Sequence, residues 1–405
     1  MCELERTARP EPSVSESLRI LIAPDSFGGA LDSVGVTAAI ADGWAAVRPG
    51  DEIERRPMAD GGEGTLAAVA VALGDGAERR SIETTDPLGR PISADWLLLD
   101  DGRAAFVEMA AASGLARLAP EERTPDNARR ASTHGTGDLI RAALDAGVER
   151  ITIGLGGSAT TDGGSGMLRA LGVRFLNRSG GDLVEGGAAL ADLDRLDASG
   201  LDPRLAGVEV VVASDVRNTL VGARGAAATY GPQKGADQAA IEELDSALAS
   251  FGRGIEIATG RLVADLPGAG AAGGTTAGLL GFTKAVVRPG VEVVAELVGL
   301  ADALEDVDLV ITGEGRADEQ TLHGKAAIGV AMLARSRATP VVLLCGALGA
   351  GAEALDAATN LAVVQPIIDR PMDLEAAMAD TPRLLAAASS RLARTVGVGL
   401  ELARP

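Results

Sequence analysis

Asp60 and Glu63 stand three residues apart in Met58-Ala59-Asp60-Gly61-Gly62-Glu63-Gly64, a turn built from glycine and acid. Two carboxylates at that spacing can share one metal ion or one proton. Acids there also suit a helix N-terminus, whose dipole they complement. The same grammar recurs along the chain. Gly156-Gly157-Ser158-Ala159-Thr160 supplies hydroxyls and small residues that let backbone amides turn inward toward an anion, with Asp162 just beyond. Glycines that only serve a tight turn with positive φ would look similar. Asp215 follows the apolar run Val208 to Ala213, and Asp25 and Ser26 follow Leu18 to Ala23. Asp308 to Thr312 breaks into Gly313-Glu314-Gly315-Arg316, then Asp318, His323 and Lys325. Amides, a few cations and carboxylates for Mg²⁺ are the set that phosphoryl transfer requires.

The cations are unevenly distributed. Only Lys234, Lys284 and Lys325 are lysine, and two of them lie in glycine-containing turns, Gln233-Lys234-Gly235 and His323-Gly324-Lys325. That placement suggests a compact ammonium where a guanidinium fork is not wanted. His134 reads as structural or solvated, while His323 lies among charged turn residues. Gly268-Ala269-Gly270-Ala271-Ala272-Gly273 matches G-x-G-x-x-G by letter. It lacks a strong preceding strand and a convincing ribose-binding acid, so the dinucleotide reading is rejected. No segment reads G-x-x-x-x-G-K-[ST], so a phosphotransferase here is not a P-loop enzyme.

These residues need strands to carry them to one edge. Runs at 18–23, 52–57, 308–312, 340–345 and 361–365 alternate with helical patterns, among them helices from Ser33 (as cap), at 65–73 and near 382–396. Five such units predict an α/β fold, a flavodoxin-like doubly wound parallel sheet with ligands at the carboxyl ends of its strands. The expected domains are a disordered leader at 1–17, a host domain at 18–80 plus 289–405, and an inserted α/β domain at 81–288. Within the insert, 81–85 and 92–99 flank Asp86-Pro87-Leu88-Gly89 as an antiparallel pair, and 104–109, 151–155 and 208–213 are further strands.

Composition limits the partners. Apolar residues make up 46% of the 405 and aromatics 2%, so the cores must be aliphatic. A net charge of −20 excludes nucleic acid, which needs a basic surface. Cys2 and Cys345 are the only cysteines, which suits a reducing compartment. Residues 1–17 lack the apolar core of a signal peptide, and no run approaches a membrane span. A soluble, cytoplasmic protein without a membrane partner is expected; its oligomeric state stays open.

Taken in order, APDSF (23–27), ADGGEGT (59–65), EMAAASGL (108–115), GTGDLI (135–140), GGSATTDGG (156–164), SGLDPRL (199–205), GPQKGA (231–236), PGAGAAGG (267–274) and ITGEGRADEQTLHGK (311–325) resemble the bacterial glycerate kinase family from about residue 18 to at least 370. The resemblance implies ATP-dependent phosphorylation of D-glycerate, with ATP and Mg²⁺ as cofactors and 2-phosphoglycerate as the favoured product. Two positions depart from the family's usual pattern, Gly28 for lysine and Thr161 for asparagine. Candidate catalytic residues are Asp60, Glu63, Asp215, Glu314, Arg316, Asp318 and Lys325. Asp25, Ser26, Gly156, Gly157, Ser158, Thr160, Lys234 and His323 are candidates for binding substrate or phosphate, and Asp162 and Asp215 for metal. Which carboxylate is the base is left open. A sugar-acid-binding sensor of the same fold without turnover, suggested by Gly28, is the alternative; a nucleotide-dependent oxidoreductase would rest only on the loop at 268–273.

Overall fold

In the computed structural model the described residues are 17–319, 321, 326–352, 355 and 361–403. The leader expected at 1–17 lies, but for Ser17, outside them, as do Cys2, His323 and Lys325. Strands β1 (Arg19–Ile22), β2 (Glu52–Arg55), β3 (Ala77–Thr85), β4 (Pro91–Leu99), β5 (Ala104–Glu108), β6 (Arg150–Gly154), β7 (Arg174–Leu176), β8 (Arg195–Asp197), β9 (Glu209–Ala213), β10 (Val286–Arg288), β11 (Leu309–Ala317), β12 (Val341–Leu348) and β13 (Leu361–Pro366) form three sheets. The chain divides into two compact units, each described by itself. One holds the described residues of Met1–Arg56, Ala301–His323 and Val330–Pro405; the other holds those of Pro57–Leu300 and Gly324–Gly329.

The smaller unit is organised by a five-stranded sheet in the order β13-β12-β11-β1-β2, parallel throughout. Its central strands are continuous apolar runs because both faces are covered. In the helix Ser33–Ala45, Val36, Ile40 and Trp44 recur at helical spacing and are fully buried. The cap is Asp32, not the expected Ser33. The Asp32 backbone is extended and its carboxylate accepts the Gly35 N–H at 2.7 Å, whereas Ser33 is already helical. This helix packs on the C-terminal helix Thr381–Leu402 so closely that a Cβ on Gly43 would run into the Ala386 backbone. The hydroxyls of Ser389 and Ser390 donate to the Ile40 and Gly43 carbonyls, each at 2.7 Å.

Strand β11 corrects one expectation. Gly313 to Arg316 was read as a turn, yet the strand runs on to Ala317, with Glu314 in register with Cys345 and Ala317 with Leu348. The reason is β12, which extends just as far and supplies a ladder for glycine-rich backbone that carries no apolar signal of its own.

The larger unit has a six-stranded sheet in the order β10-β9-β6-β5-β4-β3. The expected antiparallel pair is β3 with β4, and β5, β6, β9 and β10 run parallel. Ile151, Ile153, Val210 and Val212 meet Leu139, Met167, Leu168 and Phe251 in an aliphatic core with few rings. Phe175 and Phe251 stack with centroids 5.9 Å apart. A two-stranded ribbon, β7 with β8, was not expected.

The division falls at Arg56/Pro57 and Leu300/Ala301, whereas the sequence placed it near 80 and 288. Glu108 explains the first shift. From the end of β5 its carboxylate accepts the Gly64 N–H at 3.2 Å and the Leu66 N–H at 2.7 Å, fixing the start of the helix Thr65–Leu73 to the larger unit. The segment with the G-x-G-x-x-G letters has Ala272, Gly273 and Gly274 left-handed ahead of a helix that ends at Phe282, with no strand leading into it.

Candidate active site

In the larger unit, parallel strands deliver Glu108, the loop 156–160 and Asp215 to one edge of the sheet, at the carboxyl ends of β5, β6 and β9. The acid turn of residues 58–64 packs onto that edge backbone to backbone. A Cβ on Gly61 would lie 3.0 Å from the Ala213 Cβ, and one on Gly154 would lie 2.7 Å from the Gly61 carbonyl oxygen. The Gly156 N–H donates to the same carbonyl at 3.2 Å. Glycine recurs in these loops because nothing larger allows this approach.

A cleft of about 380 Å³ opens here, lined among others by Asp60, Gly62, Gly156, Asp215, Arg217, Asn218 and Tyr230. Asp60 accepts the Gly62 N–H at 3.0 Å. Asp215 accepts the Gly290 N–H at 3.1 Å, at the start of the helix Gly290–Leu297. Partial desolvation draws the Asp215 carboxyl above the ordinary value, and the negative charges of Asp60 and Glu292 add to the effect. Glu63 is exposed; its carboxylate would be 3.5 Å from a Cβ on Gly157. Its charge and, above all, burial hold the Glu108 carboxyl up despite the two N–H groups it accepts.

The loop 156–160 is pinned by Leu115 N–H to the Gly157 carbonyl at 2.7 Å and Ala159 N–H to the Ser113 carbonyl at 2.9 Å. Gly157 has φ +72°, and neither its N–H nor that of Ser158 has an acceptor among the described residues. Two consecutive amides left open in a turn are a ready site for an anion.

Three candidates serve the loop from behind. Lys234 is 2% exposed, and its ammonium donates to the Ser158 hydroxyl at 2.9 Å and the Thr160 carbonyl at 2.5 Å. Burial lowers this amine to about 7, against the attraction of Asp162. Thr160 is fully enclosed, with its hydroxyl unpartnered. Asp162, expected as a metal ligand, is also fully enclosed. It accepts Thr133 N–H and Oγ1–H at 2.9 and 2.8 Å, Gly164 and Gly166 N–H at 3.1 Å each, and Ser165 Oγ–H at 3.4 Å. Its oxygens are occupied by the chain, so Asp162 braces the loop and does not reach a metal. Among the described residues no three His, Cys, Asp or Glu side chains are grouped to hold a metal unaided.

The smaller unit gathers the remaining described candidates at the carboxyl edge of its own sheet. The Asp25 N–H donates to the Gly313 carbonyl at 2.9 Å, which sets Asp25 and Ser26 beside β11. Glu314 is 4% exposed; beside it, burial above all and then its charge push the Cys345 thiol up to about 12. Arg316 is exposed and pairs with Asp318 at 3.0 Å.

Sequence reading missed Arg217, Asn218 and Tyr230. Tyr230, the only tyrosine in the chain, donates its hydroxyl to Asn218 Oδ1 at 2.9 Å, while the Asn218 amide donates to the Arg224 carbonyl at 2.7 Å. Neither glycine nor a paired acid marked these positions. Glu108 was quoted in a motif without a role; an acid closing a buried strand was the available signal.

The profile of the Glycerate kinase family matches residues 20–397. A glycerate kinase from Halalkalibacterium halodurans is 45% identical over 379 residues, covering 92% of this chain and 97% of its own. A glycerate 2-kinase from Escherichia coli is 45% identical over 331 residues, covering 82% and 86%. A crystal structure assigned as glycerate kinase 2 of Salmonella typhimurium LT2 superposes with a TM-score of 0.82 at 42% identity, covering 95% of this chain and 100% of that one. The chain belongs to the glycerate kinase family.

Proposed function

We propose that the protein phosphorylates D-glycerate with ATP, giving ADP and phosphoglycerate, with the C2 hydroxyl as acceptor. The observation that carries the reading is the convergence of Asp60, Asp215 and the open Gly157 and Ser158 amides on one sheet edge. The relatives' names support the substrate, and the Escherichia coli glycerate 2-kinase supports the position of transfer.

The amides of Gly157 and Ser158 hold phosphate oxygens. ATP enters as its Mg²⁺ complex, and Mg²⁺ keeps several waters and takes only one or two protein carboxylates besides the phosphates. Asp60 and Asp215, both on the cleft, suit that demand without a dedicated metal cage. Asp60 and Asp215 are both candidates to accept the hydroxyl proton. Asp25, Ser26, Glu314, Arg316 and Asp318 remain candidates for binding charged groups of a substrate, as do His323 and Lys325. An ATP-consuming reaction on a small organic acid supports a cytoplasmic location.

The smaller unit reads as flavodoxin-like and doubly wound, since its strands, counted along the chain, lie in the order 2-1-3-4-5. The larger unit interrupts it as an insertion. The test is ADP release from ATP and Mg²⁺ with D-glycerate and without it. Release that depends on glycerate is expected; glycerate binding in a calorimeter with no ADP formed would leave a sensor instead.

A further inference from the structure

We propose that the Ser158 hydroxyl donates a hydrogen bond to a phosphate oxygen of the substrate, and that the buried Lys234 ammonium is the positioning residue that turns this proton outward. The inference rests on the kinase reading and assigns a direction to one proton of that site.

An ammonium has hydrogens to give and no lone pair to offer. In the 2.9 Å contact with Lys234 Nζ, Ser158 Oγ must therefore be the acceptor. Its own hydrogen then points away from Lys234, and it has no acceptor among the described residues. The open N–H groups of Gly157 and Ser158 lie in the same turn. Three donors within two residues, none engaged by the chain, describe a cradle for an anionic oxygen. Ser158 retains 8% of its surface, so it is set into the loop wall and does not wave in solvent.

Lys234 is fixed as firmly. Its second contact, to the Thr160 carbonyl, admits only a donor. The next residue, Gly235, has φ +91° and no room for a Cβ against the Arg123 backbone, so the turn carrying the lysine cannot drift. Among the described residues Asp162 is the one ionisable group whose charge bears on the ammonium, and its oxygens are already taken by the chain. Among the described residues the cation thus has no salt-bridge partner, and it is held by two neutral oxygens of the loop it positions.

The arrangement depends on charge. If Lys234 loses its proton, the amine gains a lone pair that can accept the Ser158 hydrogen, and the hydroxyl turns inward. With the amine lowered to about 7, the outward donor is present at mildly acid pH and lost as pH rises through neutrality.

The experiment measures kcat and the KM for ATP from pH 6 to pH 9, with D-glycerate and Mg²⁺, for wild type, Ser158→Ala, Lys234→Met and the double variant. Wild type should show KM rising with pH. Ser158→Ala should raise KM about tenfold at low pH, the loss of one hydrogen bond to a charged group, and abolish its rise with pH. Lys234→Met should do the same, and the double variant should be no worse than either single one. Ser158→Ala with wild-type KM and an unchanged pH profile overturns the proposal, as do losses that multiply in the double variant. If Lys234→Met does not fold, the Ser158→Ala profile decides alone. A wild-type protein that forms no ADP overturns the kinase reading itself, a result distinct from an active enzyme indifferent to Ser158.

Discussion

Replacing Gly154 with alanine tests whether the two glycine loops of the larger unit are fitted to each other for catalysis. The added Cβ would lie 2.7 Å from the Gly61 carbonyl oxygen and 3.1 Å from the Phe106 ring. Backbone must give by about 0.7 Å to reach the 3.4 Å at which ordinary contact begins. Gly61 stands between Asp60 and Gly62, and its carbonyl also receives the Gly156 N–H, so both walls of the cleft move together. Overpacking of this kind costs about 1–3 kcal/mol of stability. A misplacement approaching 1 Å costs on the order of 100-fold in rate, so kcat/KM should fall between about 10- and 100-fold while the protein stays folded. Gly76→Ala is the control: its Cβ meets only Leu73 Cβ at 3.7 Å, and it should stay within about 0.5 kcal/mol of wild type. Thermal melts with steady-state kinetics decide. A Gly154→Ala enzyme with wild-type kcat/KM would refute the fitted-loop argument.

Glu314→Ala should lower both turnover and melting temperature, because the side chain is 4% exposed inside a strand; Glu314→Gln, which keeps the volume, should lower turnover with a smaller change in melting. Asp51→Ala should destabilise the protein by about 3–5 kcal/mol in denaturant titration, since it removes the acceptor of Arg48 at 2.5 Å and Trp44 at 2.8 Å. Burial pushes the Asp51 carboxyl up, but the hydrogen bonds from Arg48, Leu18 and Trp44 outweigh it and hold it low. Its contribution is therefore present above the ordinary value of 3.8 and lost as pH falls through the lower folded value. His134 behaves oppositely: its hydrogen bond to Glu185 at 2.8 Å holds the imidazolium above the ordinary 6.5. The stability difference between wild type and His134→Gln should be full below that value and vanish as pH rises through the higher folded one, measured by melts across pH 5–9.

Much of this was legible in residues 18–23 and 340–345, because strands buried on both faces must be apolar throughout. The extension of β11 through Gly313-Glu314-Gly315-Arg316 was not, since its ladder is supplied by a partner strand and not by its own side chains. Asp60 was found because glycine beside an acid marks close backbone approach, the loop at 156–158 by its glycines and hydroxyl, and Asp215 because it closes an apolar run. Lys234 and Asp162 were assigned to ligands because one is a scarce lysine in a glycine-containing turn and the other follows the glycine loop; only the fold shows them enclosed and bonded to the chain. The joint at residue 57 escaped notice for a related reason. Glu108 caps a helix 44 residues earlier in the chain, and no local pattern encodes that contact.

The most direct test is ³¹P NMR of the product formed from D-glycerate, ATP and Mg²⁺ by the purified protein. The account predicts a phosphomonoester on the C2 hydroxyl, accumulating one-for-one with ADP. ADP without a new phosphoester, or no change in the ATP resonances beyond a glycerate-free control, would contradict it.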